Sequence, residues 1–215
     1  MGNVNVDISM SLDGFVAGPN RTLDTPLGEG GELLHEWILA TKSWREVHGK
    51  SGGEDTPDDE IARESIEAAG ATVMGRRMYS GGEGAWEDDP NADGWWGDDP
   101  PFHHPVFVLT QHAREPVTMK GGTTFTFVTD GIESALEQAK AGAGDKNVTI
   151  AGGANTIQQY LRARLVDEVH LHLVPVLLGD GVRLFEGLGN GAVELTTTRV
   201  VESPAVTHVM LRASG

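Results

Sequence analysis

Apolar residues in this chain recur at two spacings that take turns along most of its length, and this alternation restricts the fold more than any single motif. Residues 3–12, NVNVDISMSL, set Val4, Val6, Ile8 and Met10 at every second position, the period of a strand, which predicts a first strand ending at Asp13, where Asp13 and Gly14 supply a turn. Residues 30–47 space Leu33, Leu34, Trp37, Ile38, Thr41, Trp44 and Val47 at helical intervals, which predicts a first helix. Residues 58–70 predict a second, closed by Gly70. Strands are expected over 71–75, 105–110, 123–128 and 147–151, and helices over 130–144 and 155–166. DEVHLHLVPVLLG, residues 167–179, reads as one long strand with Val169, Leu171 and Leu173 alternating with His170 and His172; residues 193–202 and 205–213 complete an antiparallel-looking end. Strands that alternate with helices and then follow one another imply an α/β sheet, mainly parallel, with an antiparallel C-terminal edge. No repeat or charged linker divides the chain, so 1–215 is expected to form a single domain.

Composition narrows the function. The net charge of −16, from 32 acidic against 16 basic side chains, opposes binding to nucleic acid or to anionic membranes. The absence of cysteine excludes disulfides, thiolate zinc sites and cysteine nucleophiles. No apolar run approaches the roughly 20 residues of a membrane span. The start MGNVNVDISM lacks the basic and apolar segments of a secretory signal, so a soluble, cytoplasmic protein is expected. Residues 79–105 are dense in Gly, Pro, Asp and Trp; Trp86, Trp95 and Trp96 argue for a packed lid over a pocket.

In open α/β sheets ligands bind beyond the carboxyl ends of the strands, which directs attention to four junctions. At IAGGAN, Gly152 and Gly153 let the main chain approach an anion, and the amides of Ala154, Asn155 and Thr156 would point at it from a helix N-terminus. In TVMGRRMYS, Arg76 and Arg77 follow Gly75 at the end of an apolar strand, where guanidinium groups suit a phosphate. Thr110 and Gln111 in VLTQHAR could donate to the same group. In SLDGFVAGPN, Asp13 and Gly14 make a turn, and Val16, Ala17 and Gly18 offer small contacts suited to a flat ring.

Taken in order, SLDGFVAG, VMGRRMY, VFVLT, TIAGGANTIQQYL and DEVHLHLVPVLLGDGVRLFEGL resemble the dihydrofolate reductase superfamily, in particular the branch containing the reductase domain of bacterial riboflavin biosynthesis. The resemblance spans nearly the whole chain. It implies a three-layer dihydrofolate-reductase-like fold, with a mixed sheet and helices on both faces, and an NADPH-dependent reductase. By position, Gly152 to Thr156 would bind the pyrophosphate, Gly75, Arg76 and Arg77 the adenosine phosphate with help from Thr110 and Gln111, and Ser9, Val16 and Ala17 would border the nicotinamide. It also implies a cis peptide between Gly152 and Gly153, a rare geometry without proline. The chain departs from the pattern at Ala151, where riboflavin-type reductases carry a glutamate, and at Met78, where dihydrofolate reductases carry a threonine.

The expected activity is hydride transfer from NADPH to a pterin-like or aminopyrimidine or ribosylaminopyrimidine small molecule, with Glu36 or Asp13 as candidate proton donors. The alternative is a catalytically inactive nucleotide-binding module that acts through dimerisation. A homodimer is what the resemblance implies. A metal site built from His170, His172, His103 and His104 lacks an accompanying carboxylate at suitable spacing, so no metal is expected.

Overall fold

The computed structural model describes residues 2–189 and 193–214. Its centre is β1 (Val4–Ser11), whose neighbours are parallel: β8 (Glu168–Val174) on one side and β7 (Asn147–Gly152) on the other. Beyond β7 lie β3 (Ala69–Gly75), β4 (Pro105–Leu109) and β6 (Thr124–Val128), all parallel. The run is flanked by antiparallel strands, β5 (Val117–Thr118) beside β6 and β11 (Thr207–Ala213) then β10 (Leu195–Glu202) beside β8. The antiparallel C-terminal edge matches the order of patterns in the sequence. A separate short ribbon joins β2 (Phe15–Ala17) to β9 (Val182–Arg183), two elements too short to show a period.

Helices cover both faces. On one, α5 (Ile132–Ala143) and α6 (Ala154–Arg162) set Ala135, Leu136, Ile157 and Tyr160 against Val4, Val6, Val73, Val148 and Ile150 in the main core. The other face has two covers. Over β1, β8 and β11 lie α1 (Glu36–Ala40), α2 (Lys42–Val47) and α3 (Pro57–Ala68), with Leu34, Trp37 and Ala62 packed on Val174 and Val206. Over β3, β4 and β6 lie α4 (Arg76–Ser80) and the tryptophan-rich segment, where Tyr79 packs on Met74, Phe125 and Phe127. Among the described residues no helix is long and apolar enough to cross a membrane.

Three expectations are corrected. The helix expected over 30–47 is a 3-10 turn at 31–35 followed by α1 and α2, because Thr41 is extended (φ −69°, ψ 150°) and its hydroxyl accepts from the Trp44 amide, capping a new helix. The long strand of 167–179 stops at Val174, since Pro175 has no amide proton for the ladder. The first strand ends at Ser11, and Leu12 already belongs to a turn, its amide bonded to the Val176 carbonyl.

Candidate active site

The two covers leave a gap, and in it a cavity of about 1020 Å3 runs along the carboxyl ends of the central strands. The paired glycines sit at the end of β7, and their peptide bond is cis. Gly152 has φ 129°, which disfavours every residue with a side chain. A methyl at Gly153 would meet nothing within 4 Å, so its bare backbone borders open cleft beside Ala154 and the unpaired first-turn amides of α6. Gly75 does something else: a methyl there would fall 2.6 Å from Thr156 Oγ1, so this glycine lets α6 close against β3.

The neighbouring arginines part company. Arg77 lines the cleft, half exposed, and pairs with Glu83. Arg21, which sequence reasoning missed in the loop PNRTL, lines the same end; burial and then the charge of Arg77 lower its pKa, with Glu83 opposing. The two guanidinium groups thus share one end of the cleft, with Glu83 paired to Arg77. Arg76 is turned away and only 7% exposed. Its Nη1 donates to Asp89 at 2.5 Å and to Ser80, and its guanidinium lies 3.4 Å from the centre of the Trp86 ring. It is a core ion pair, and the expectation of a phosphate contact from Arg76 is corrected on that ground.

Of the other residues expected at the cofactor, Ser9, Val16 and Ala17 line the cleft with Gly153 and Ala154. Thr156 is buried against Gly75, and exposed Asn155 accepts a hydrogen bond from Gln159. Thr110 and Gln111 do not line the cleft; the Thr110 hydroxyl is bonded to the His112 amide, and Trp86, expected in the lid, donates its indole proton to the His112 carbonyl. Trp95 and Trp96 do line it, with Trp95 anchored through its indole proton to the Met78 carbonyl.

Neither expected proton donor is in place. Glu36 is exposed at the start of α1, on the side away from buried Trp37, and is not a lining residue. The Asp13 carboxylate accepts from Ser11 Oγ at 2.6 Å and from the amides of Leu178 and Gly179, which lower its pKa and tie two turns together.

What does reach the cleft is a polar network on the second face of β1. Asn5, Asp7, Ser9 and Ser11 alternate with its apolar residues, and His170, His172 and His208 occupy the matching face of β8 and β11. Interior strands covered on both faces are usually apolar on both, so this alternation was the available signal. Asp7 accepts from His172 Nε2 at 3.0 Å and from Ser65 Oγ; His172 Nδ1 lies 2.7 Å from His208 Nδ1, and His208 Nε2 donates to Asp58 at 3.0 Å. Burial alone would raise the Asp7 carboxyl, but the charge of His172 and hydrogen bonds from His170, His172 and Ser65 hold it well below the usual carboxylate range. Trp37 packs its ring 4.7 Å from His172 and donates to Ser9 Oγ at 2.9 Å. The other histidine pair is elsewhere: His104 Nε2 meets Thr72 Oγ1 on β3 and His103 Nδ1 lies near the Gly121 carbonyl, so the four rings do not converge.

Comparison with known proteins agrees with this architecture. A protein of Shewanella sp. PV-4 named for riboflavin biosynthesis has 21% identity and a TM-score of 0.64, covering 99% of each chain. A diaminohydroxyphosphoribosylaminopyrimidine deaminase/5-amino-6-(5-phosphoribosylamino)uracil reductase of Thermotoga maritima has 14% identity and a TM-score of 0.56; this chain spans 57% of it. At these identities the likeness establishes the fold. Among curated proteins, the uncharacterized protein YwjB of Bacillus subtilis (strain 168) is 34% identical over 65 residues, 30% of this chain and 37% of that protein. Residues 3–209 match the family described as the RibD C-terminal domain, and the chain therefore belongs to that family.

Proposed function

We propose that the protein is an NADPH-dependent reductase acting on the C=N or C=O bond of a small planar heterocycle, pterin-like or aminopyrimidine-like. The observation that carries this reading is the cleft itself, with bare main chain at Gly153 and Ala154, Arg21 and Arg77 at one end, and Ser9 and Trp37 at the other. The first-turn amides of α6 suit a pyrophosphate, and the two arginines suit the 2′-phosphate that distinguishes NADPH from NADH. Val16 and Ala17 give a flat, apolar wall for a nicotinamide ring. Bound there, the cofactor supplies hydride. Trp95 and Trp96 line the cleft beside Met78 and Gly81, at the arginine end.

Reduction of a C=N or C=O bond also consumes a proton, and with Glu36 and Asp13 outside the cleft the nearest reserve is the network behind Ser9. Three hydrogen-bond links join Asp7, His172, His208 and Asp58, and each needs one proton. With both carboxylates ionised, two imidazoles carry three protons, one more than two neutral rings.

A second copy of the chain is the proposed macromolecular partner. Among the described residues β10 is a sheet edge with no further strand beside it, and Leu12 and Leu177 are 61% and 74% exposed. Light scattering on the purified protein at micromolar concentration tests it, a monomer mass ruling the dimer out.

The activity is tested by following NADPH oxidation with pterin and ribosylaminopyrimidine panels. Turnover of at least one member is expected. Tight NADPH binding without turnover on any would favour the inactive module instead.

A further inference from the structure

A second cavity, of about 310 Å3, lies between α3 and the sheet, with Ile61 and Ser65 of α3 and Met210 of β11 among its walls. One face of β1 leads from it into the main cleft. Asn5 lines the second cavity, Ser9 lines the cleft, and Asp7 between them lines both. Among the described residues Asp7 alone is shared. Strand β8 runs alongside with His170 opposite Asp7 and His172 opposite Ser9, so each cavity receives one histidine.

The Asp7 carboxylate stands between the two rings. Its Oδ1 accepts from His172 Nε2 at 3.0 Å, and its Oδ2 faces His170 Nδ1 at 3.8 Å. One water, or a small swing of either side chain, completes the second link. Ser65 Oγ donates to Oδ2 and fixes the carboxylate in this position. The rings differ in access. His172 is 2% exposed and has both nitrogens engaged, by Asp7 and His208, whereas the His170 side chain keeps 21% exposure. Around His170 stand Asp7, Glu168, whose Oε2 is 3.4 Å from Nε2, and the Glu64–Arg199 ion pair lining the same cavity. Burial disfavours charge on this ring, but Asp7 and Glu168 outweigh it and raise its pKa.

We propose that His170 is the port through which the proton for the cleft enters from the second cavity, with Asp7 as its carrier. The inference rests on the reductase reading and supplies the proton route which that reading needs. Hydride added at the carbon of a C=N or C=O acceptor leaves an electron pair on its nitrogen or oxygen. Asp7 gives that atom a proton and takes one from His170 Nδ1: an N–H bond breaks on His170, an O–H bond forms and breaks on Asp7, and a new N–H or O–H bond forms on the acceptor. Water in the second cavity returns a proton to His170, so both residues end as they began and the proton is drawn from solvent. This route stays open when ligands fill the cleft and displace its water.

The test compares the full-length wild type with His170→Gln and His170→Ala, saturated with NADPH and with whichever acceptor the wild type reduces fastest. Both variants are expected to lose at least tenfold in kcat while NADPH affinity stays within twofold. The wild-type kcat should fall as pH rises through the His170 pKa, and that limb should vanish from both variants. Added imidazole, small enough for the second cavity, should raise the rate of His170→Ala at least threefold and leave His170→Gln unchanged. A second readout needs no turnover: exchange of the buried His172 and His208 imidazole protons with water, followed by NMR on histidine-labelled protein saturated with NADP+, should slow at least tenfold in His170→Gln. A variant that keeps the wild-type pH limb, a loss of rate that imidazole does not recover, or unchanged exchange overturns the inference and leaves the reductase reading standing. If the wild type reduces no acceptor, the reductase reading falls, and the exchange rates alone decide whether His170 admits the proton.

Discussion

His172 Nδ1 lies 2.7 Å from His208 Nδ1, with each ring held at its other nitrogen by a carboxylate, Asp7 for the first and Asp58 for the second. The two rings are 2% and 0% exposed, and Trp37 packs against both. Such a chain is stable only when every link has its proton, because a half-satisfied buried network costs more than an apolar core.

His208→Leu removes the middle of this chain and strands Asp58 and His172 together. It is expected to cost about 3 kcal/mol or more, the range for breaking a buried hydrogen-bonded ion pair. Urea unfolding measures this. A loss below about 1 kcal/mol would mean that the ring contributes only packing.

His104 predicts a loss of stability in acid. Burial, with smaller contributions from Lys146 and His103, pushes its pKa down from 6.5 to about 4. A depressed folded pKa means the unfolded chain takes the proton first, so the stabilisation is complete above pH 6.5 and fades as pH falls toward 4, by up to about 3 kcal/mol. His170 acts in the opposite sense, since Asp7 and Glu168 outweigh burial and raise its pKa: its contribution is full below its unfolded value and fades as pH rises through the folded one. Thermal melts of the wild type and His104→Gln across this window should show the variant losing less stability on acidification; parallel curves would contradict the assignment.

Arg76 and Arg77 should behave as opposites. Arg76→Ala leaves Asp89 buried and unpaired and is expected to cost about 3–5 kcal/mol. Arg77→Ala, from a half-exposed pair, should change stability by no more than about 0.5 kcal/mol. Its effect should fall on the ligand, weakening NADPH about tenfold or more while leaving NADH nearly unchanged. Paired unfolding and binding titrations separate the two, and equal losses of stability would refute the division.

The sheet was legible in the sequence because its strands are long enough to show their period and its helices present clear apolar faces. Thr41 was not, since it keeps the apolar spacing of 30–47 intact while its hydroxyl starts a new helix. Nothing in RRMYS tells which guanidinium turns inward; that is decided by Asp89 and Trp86, thirteen and ten residues away. Gly152 and Gly153 were legible as a strand-to-helix junction, and Gly153 does line the cleft. The polar network was hidden because Asp7, His172 and His208 come from three strands and read singly as polar positions on sheet faces.

The most direct measurement is calorimetric titration of the wild-type chain with NADPH and with NADH at one fixed ionic strength. Arg21 and Arg77 at the mouth of the cleft predict at least about a tenfold preference for the phosphorylated dinucleotide. Equal affinities, or no heat with NADPH, would contradict the account.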